Sequence, residues 1–410
     1  MTPATSTPSA LEALLRRTEH VVRREDLAAK LEEGRSLRVK LGLDPTARDV
    51  TLGWAVPLRK LRDFQDAGHT AVLILGDFTA RIGDPSGKSE TRPQLTKEEV
   101  KANAEACLEP LMDVLSEENL EVRYNSEWLE PMDLSDLLNL TSRYTVAQML
   151  ERDDFSKRYR DHRPISVVEF MYPLLQAYDS VAIEADVELG GTDQLFNLIV
   201  GRDLQRSFGQ PPQVVMTVPL LEGLDGVQKM SQSLGNYIAI RDAPEEMFGK
   251  VMSIPDTLVA RYAELATAFS AQEVSDVSEL ARGGGPKAGD AKRRVARAIV
   301  ELYHGPDVAS SAEAAFDRQF RRKETPETIT EASIPADAVD GDRVFLPRVL
   351  AELGLASSRS EARRLIANQG VRINGETTSV EEVALEDLGG AILQVGKRRF
   401  LRLTPPEPAS

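Results

Sequence analysis

At 410 residues the chain has room for two or three domains with separate cores, and its 41% hydrophobic and 28% charged residues are those of an ordinary globular protein. No stretch of 18 apolar residues occurs, so no membrane span is expected, and the polar Met1–Ser9 start reads as a frayed tail rather than a signal peptide. One cysteine, Cys107, excludes an internal disulfide framework, four scattered histidines argue against a transition-metal site, and the net charge of −15 disfavours nucleic-acid binding by the chain as a whole.

Residues 1–35 read as a tail with helices. Residues 37–43 alternate as a strand does, and 55–67 have a helical spacing, with Pro57 in the first turn, Leu58, Leu61 and Phe64 on one face, and Gly68 to end it. The apolar run 71–76 suits a strand covered on both faces, so strand, helix and strand make a right-handed βαβ unit of a parallel sheet. Further helices are expected over 98–115, 135–150 and 167–179, and a strand over 213–219, within an α/β domain spanning 36–243. Helices at 244–253, 256–268, 271–281 and 289–304, interrupted by Gly283-Gly284-Gly285-Pro286, make a helical domain of 244–323. The acidic, Pro-containing stretch 324–342 reads as a linker. A small α+β domain follows over 343–405; its residues 343–403 hold ten Lys/Arg against seven Asp/Glu, a local surplus able to meet phosphate.

Ligands of an open α/β sheet sit beyond the carboxyl ends of its strands. Asp44-Pro45-Thr46 follows the first strand; Asp77-Phe78-Thr79 and Asp84 follow the second. Each is also an ordinary turn sequence. Gly53, near the start of the first helix, allows a nucleotide close to the positive end of the helix dipole. Tyr172, Gln176 and Asp179 fall on one stripe of a helix whose opposite side carries Phe170 and Leu174, so the stripe faces either a site or water. Gly190-Gly191-Thr192-Asp193-Gln194 offers open backbone, an acceptor and an amide. The loop Lys229-Met230-Ser231-Gln232-Ser233, after Gly223–Gly226, offers an ammonium and hydroxyls, which suits charge building on a departing pyrophosphate. In the last domain Ser358-x-x-Glu361 reads as a capping box, with Gly370 to end the helix, and Asn374-Gly375 marks a hairpin. Arg359, Arg363, Arg364 and, after a last strand, Lys397, Arg398 and Arg399 form either a solvated basic face or a platform for structured RNA.

Taken together, Asp84-Pro85-Ser86-Gly87-Lys88-Ser89-Glu90-Thr91-Arg92, Gly191–Gln194 and Lys229–Ser233 resemble the bacterial tyrosyl-tRNA synthetases of the subgroup that ends in a ribosomal-protein-S-four-type RNA-binding domain, from about residue 35 to 403. The resemblance implies a class I Rossmann-like catalytic domain, a helical anticodon-binding region, a two-fold dimer, and L-tyrosine, ATP with Mg2+ and tRNA(Tyr) as partners; the lone cysteine fits a reducing cytoplasm. It places Asp179 on the substrate phenol; Thr79, Asp84, Tyr172 and Gln176 around the α-amino group; and Gln194 near the carboxyl group. Asp44, Thr46, Gly53, Gly191 and Asp193 would lie along ATP, and Lys88 and Arg92 at pyrophosphate or the tRNA acceptor end. Thr51, Trp54, Lys229, Ser231, Gln232 and Ser233 would serve catalysis. No resident metal or organic cofactor is implied. The departures fall on catalysis: Thr51-Leu52-Gly53-Trp54 stands where the family has HIGH, Gln232 replaces the second lysine of KMSKS, and Val168 replaces a histidine before Glu169. A lost transition-state donor costs about 10²–10³ in rate, and three together on the order of 10⁴–10⁷. Two readings follow: a tyrosine–tRNA ligase with an unorthodox ATP site and reduced activity, or a synthetase-derived protein that binds tyrosine or RNA without efficient adenylation.

Overall fold

A computed structural model describes residues 7–85, 95–320, 329–396 and 399–406. The chain divides into two compact units, residues 1–313 and 314–410.

The first unit is built on a six-stranded sheet: β1 (His20–Val22), β2 (Arg38–Leu43), β3 (Thr70–Leu75), β4 (Leu120–Tyr124), β5 (Val187–Gly191) and β6 (Val214–Val218), in the order β1-β6-β5-β2-β3-β4. β2 to β6 are parallel, and β1 is antiparallel to β6. The chain winds outward from β2 through β3 to β4, then returns to the other side of β2 with β5 and β6. Winding therefore reverses between β2 and β5, where such sheets open a crevice. Val39, Leu41, Leu73, Val187, Leu189 and Val215 are buried, as a sheet covered on both faces requires. Lys40 and Glu188 are charged and equally buried at its centre.

The Leu52–Asp66 helix crosses from β2 to β3 with Leu58, Leu61 and Phe64 buried. Thr51 caps it, its Oγ1 accepting the Trp54 N–H at 3.3 Å. Gly68 follows at φ +87°, a conformation that favours glycine. The single helix expected over 135–150 is two, Leu134–Thr141 and Val146–Met149, because Thr145 and Gln148 form a capping box that starts a new one. Ser166 and Glu169 do the same for the Val167–Ala182 helix, which outruns its expected end by most of a turn.

The helices Pro244–Ser253, Val259–Ala266, Ala271–Arg282 and Gly285–His304 belong to this first compact unit, not to one of their own. The glycine break is shorter than expected, since Gly285 and Pro286 already lie in the last helix, where a first-turn proline loses no hydrogen bond.

The second unit contains β7 (Glu331–Ser333), β8 (Val339–Asp340), β9 (Arg343–Phe345), β10 (Val371–Ile373), β11 (Glu376–Thr377), β12 (Glu382–Ala384), β13 (Ile392–Val395) and β14 (Arg399–Thr404). They form a five-stranded sheet, β11-β10-β13-β14-β7, and a three-stranded one, β12-β9-β8. The Leu346–Glu352 and Arg359–Ala367 helices close a core that includes Val349, Leu350, Ile366, Leu393 and Leu403. Stretch 324–342 is not a linker throughout: β7 pairs with β14, and Ile334 and Ala338 enter the core. Its acidic composition masked these few apolar residues. Residues 324–328 lie outside the described residues. The Asn374-Gly375 hairpin forms as expected, at φ +51° and +87° between β10 and β11. Among the described residues no helix is long and apolar enough to cross a membrane.

Candidate active site

A cleft of about 500 Å³ opens past the carboxyl ends of β2, β3, β5 and β6. It gathers residues from segments almost 200 positions apart: Asp44, Thr46, Thr51, Gly53 and Trp54 after β2; Thr79 and Asp84 after β3; Tyr172, Gln176 and Asp179 from the Val167–Ala182 helix; Gly191, Asp193 and Gln194 after β5; and Lys229, Ser231, Gln232 and Ser233 beyond β6. Lys88 and Arg92 lie outside the described residues.

One end is buried and held by hydrogen bonds. Asp179 is 3% exposed. Its Oδ1 accepts the Trp128 indole N–H at 2.8 Å and its Oδ2 the Asn125 amide at 3.4 Å. Burial pushes its carboxyl up to about 6, against the Lys40 cation and those two donors, which favour the charged form. Asp44 accepts the Thr79 hydroxyl at 2.7 Å and the Tyr172 phenol at 2.8 Å. Burial lifts it to about 7, opposed by those two bonds and aided by the charges of Asp84 and Asp179. Asp44 was expected along the nucleotide; the structure sets its carboxylate among the residues expected around the amino group. The same surroundings, burial first and Asp44 next, raise the Tyr172 phenol well above its ordinary value. Such a carboxylate-rich, desolvated pocket attracts an ammonium and an aromatic hydroxyl.

Gln194 donates to Asp84 at 2.7 Å. Asn197, 1% exposed, donates at 3.1 Å to the side-chain oxygens of both Gln176 and Gln194, which turns their amide N–H groups away from it. Asn125, Trp128 and Asn197 escaped the sequence reading. They lie off the signature segments, and only the fold brings Asn125 and Trp128 to Asp179 and Asn197 to Gln176, whereas Asn197 meets Gln194 from one helical turn on. Gly76 was missed as well, although its place directly after β3 is a readable signal. A Cβ there would stand 2.0 Å from Asp44 Oδ1 and 2.4 Å from Thr79 Oγ1, so the pair requires glycine.

The other end is made of loops. Lys229 pairs with Asp193 at 2.6 Å. The Gly53 N–H, at the start of the Leu52–Asp66 helix, donates to Met230 Sδ at 3.3 Å, and a Cβ on Gly53 would stand 3.2 Å from Met230 Cβ. Gly191 likewise leaves room for Asp193, whose Oδ1 would be 2.7 Å from an added Cβ. Ser231 and Ser233 share a hydroxyl contact at 2.9 Å, and Asn236 accepts the Ser231 N–H at 2.8 Å. The Gln232 amide donates to the Asp49 carbonyl, tying this loop to the one after β2. Thr51 is buried and spends its oxygen as a helix cap, while Trp54 is half-buried in the wall. A helix N-terminus, one ammonium and several hydroxyls around an open groove can hold a polyphosphate.

In the second unit Arg359, Arg363 and Arg364 lie exposed on the Arg359–Ala367 helix. Its cap differs from the expected box: Ser358 accepts the Glu361 N–H at 3.2 Å, but the Glu361 carboxylate accepts from Ser357 instead. Gln369, at φ +56°, and not Gly370, takes the left-handed position beyond its end. Arg359 approaches Glu352 at 3.8 Å and Arg363 pairs with Glu381 at 3.1 Å. Arg399 does not follow the last strand but opens it, donating to the Leu355 carbonyl; Lys397 and Arg398 lie outside the described residues.

Residues 32–321 match the family model for class I tRNA synthetases (W and Y), and residues 346–380 match the S4 domain. The chain is 51% identical over 397 residues to the tyrosine–tRNA ligase of Moorella thermoacetica, which covers 96% of this chain and 95% of that one. It is 48% identical over 398 residues to that of Carboxydothermus hydrogenoformans, covering 96% and 97%. In fold it is similar to a C-terminally truncated mitochondrial tyrosyl-tRNA synthetase of Aspergillus nidulans, with a TM-score of 0.62 at 23% identity over 78% of this chain and 95% of that chain. Fold, cleft and near-complete kinship agree: the chain belongs to the class I tRNA synthetases, in their tyrosyl branch.

Proposed function

We infer that this protein is a tyrosine–tRNA ligase, which activates L-tyrosine with ATP to tyrosyl-adenylate and transfers it to tRNA(Tyr). The observation that carries the reading is Asp179, a buried carboxylate that opens into the cleft while two neutral donors hold it in place. A ligand without a hydroxyl would leave that carboxylate desolvated and short of a partner. The ammonium of the substrate would meet Asp44, Asp84, Tyr172 and Gln176, with Thr79 fixing Asp44, and Gln194 would face its carboxylate. That carboxylate attacks the α-phosphorus of ATP and pyrophosphate leaves. A terminal ribose hydroxyl of the tRNA then attacks the acyl carbon and AMP leaves.

ATP enters as its Mg2+ complex, the metal carried by the triphosphate. The Gly53 amide and helix N-terminus suit a phosphate, Asp193 the ribose, and Lys229 with Ser231, Ser233 and Gln232 the developing pyrophosphate charge. Thr46 and Gly191 border the nucleotide, and Lys88 and Arg92 would add charge at pyrophosphate or the acceptor end. Trp54 can stack on adenine. Arg359, Arg363, Arg364, Lys397, Arg398 and Arg399 would meet RNA phosphates.

A homodimer is the proposed assembly. Leu134, Leu138, Val146, Tyr159 and Val167, all more than 60% exposed within 34 residues, support a face covered by a second copy. A cytoplasmic setting is proposed with it. Pyrophosphate exchange with ATP should depend on tyrosine and fail with phenylalanine. Exchange no faster than the protein-free control would overturn the assignment.

A further inference from the structure

A lysine and a glutamate face each other across the two central strands of the sheet, beneath the amino-acid pocket but not lining it. Lys40 on β2 and Glu188 on β5 are register partners, with side chains 0% and 1% exposed and a 2.8 Å ion pair between them. A buried pair of this kind is seldom a net source of stability, because desolvation offsets the attraction and apolar residues of equal volume serve as well. Its contacts indicate another use. The three Lys40 ammonium hydrogens have three acceptors: Glu188 Oε1, the Gln176 carbonyl at 2.8 Å and Ser180 Oγ at 2.8 Å. Ser180 in turn donates to Glu188 Oε2 at 3.1 Å, and Gln213 donates to the same oxygen. Gly201 makes room for this cluster, since a Cβ there would stand 2.7 Å from Gln213 Nε2 and 3.0 Å from Glu188 Oε2.

The helix turn pinned by Lys40 spans Gln176 to Ser180 and so contains Asp179. We propose that Lys40, held by Glu188, is a positioning residue for amino-acid selection: it locks the turn that presents Gln176 and Asp179 and sets a positive charge behind the Asp179 carboxylate. This rests on the tyrosine reading of the pocket. The charged groups acting on Asp179 are Lys40 from β2, Glu188 from β5, and Asp44 from the loop after β2; Trp128 and Asn125 face it as neutral donors. Lys40 favours the ionised form and Glu188 opposes it.

The test is calorimetric binding of tyrosine and phenylalanine to the full chain from pH 5 to 8, without ATP. Asp44 and Asp84 act on both ligands through the ammonium, so the tyrosine-to-phenylalanine affinity ratio isolates Asp179. In the unaltered protein the ratio should collapse on the acid side as Asp179 takes a proton. Glu188→Gln should move that acid limb to lower pH. Lys40→Met with Glu188→Gln, a neutral pair that leaves no unpaired buried charge, should move it to higher pH and cut the ratio at pH 7 by about tenfold or more. In the double variant phenylalanine affinity should fall less than tyrosine affinity, since Gln176 on the same turn serves the ammonium of both ligands while Asp179 meets only the phenol. Variants that only melt earlier, with limb and ratio unmoved, would overturn the proposal while leaving the tyrosine reading intact. An unaltered protein with equal affinity for the two amino acids would overturn that reading and the inference with it.

Discussion

The two ends of the cleft are built differently, although they share a wall. At the end proposed for the amino acid, Asp179, Tyr172 and Thr79 are nearly inaccessible and Asp44 is half-buried, and all four belong to strand ends or a packed helix. Their side-chain hydrogen bonds include ones to one another, to Asn125 and Trp128, and from Thr79 to the Gly76 carbonyl. At the end proposed for the nucleotide, Lys229 lies on a loop and Gln232 opens the single 3-10 turn Gln232–Leu234, and their partners, Asp193 and the Asp49 carbonyl, are other parts of the protein. In the proposed reading, tyrosine entering the first end would find its partners already aimed, whereas a triphosphate would have to take Lys229 from Asp193 and the Gly53 amide from Met230. Selection would then be preorganised, and activation would require a rearrangement.

The sharpest way to break this contrast is Asp179→Ala. It should lower kcat/KM for tyrosine in the exchange reaction by about 10²–10³-fold, with little change for phenylalanine. Lys229→Ala should lower kcat by about 10²-fold while calorimetric tyrosine affinity stays unchanged, because the missing ammonium acts on departing pyrophosphate. Loss of tyrosine binding in that variant would show the two ends to be coupled. The departures from HIGH and KMSKS can be reversed together: Thr51→His, Trp54→His and Gln232→Lys should raise the single-turnover rate of adenylate formation about tenfold or more. An unchanged rate would mean that the Thr51 cap and the Gln232 tie to Asp49 already supply what those residues supply elsewhere.

The smallest effect is one of pH. Asp44 and Asp179 titrate near 7 and 6, above the 3.8 of an exposed aspartate, so the folded chain binds more protons than the unfolded one between these values. Their contribution to stability is complete below about pH 4 and is lost as pH rises through 6 and 7. Tyrosine affinity should run the other way, rising by up to about tenfold per pH unit as each carboxylate ionises. Thermal unfolding at pH 5 and pH 8, with and without tyrosine, reads both trends. Asp44→Asn should flatten the part centred near 7.

Much of this contrast was legible in the order of residues. The strand ends carrying Asp44, Thr79 and Gly191, and the helical stripe of Tyr172, Gln176 and Asp179, follow from periodicities that any chain must obey. Short apolar stretches inside acidic surroundings were not legible: β7 looked like linker because three residues carry no period. A second helix start at Thr145 was hidden by continuous apolar spacing.

What the sequence determined by itself was the sheet type, the crevice at the strand ends and the residue types that could enter it, because these depend on local spacing and turn chemistry. Only the tertiary structure decided which groups stand behind them. Trp128 and Asn125 at Asp179, Asn197 at Gln176, and Lys40 opposite Glu188 are contacts across about 20 to 150 residues. No local pattern encodes them. Burial then gave each its consequence, since a carboxylate or an ammonium away from water takes its charge state and direction from whatever the packing places beside it.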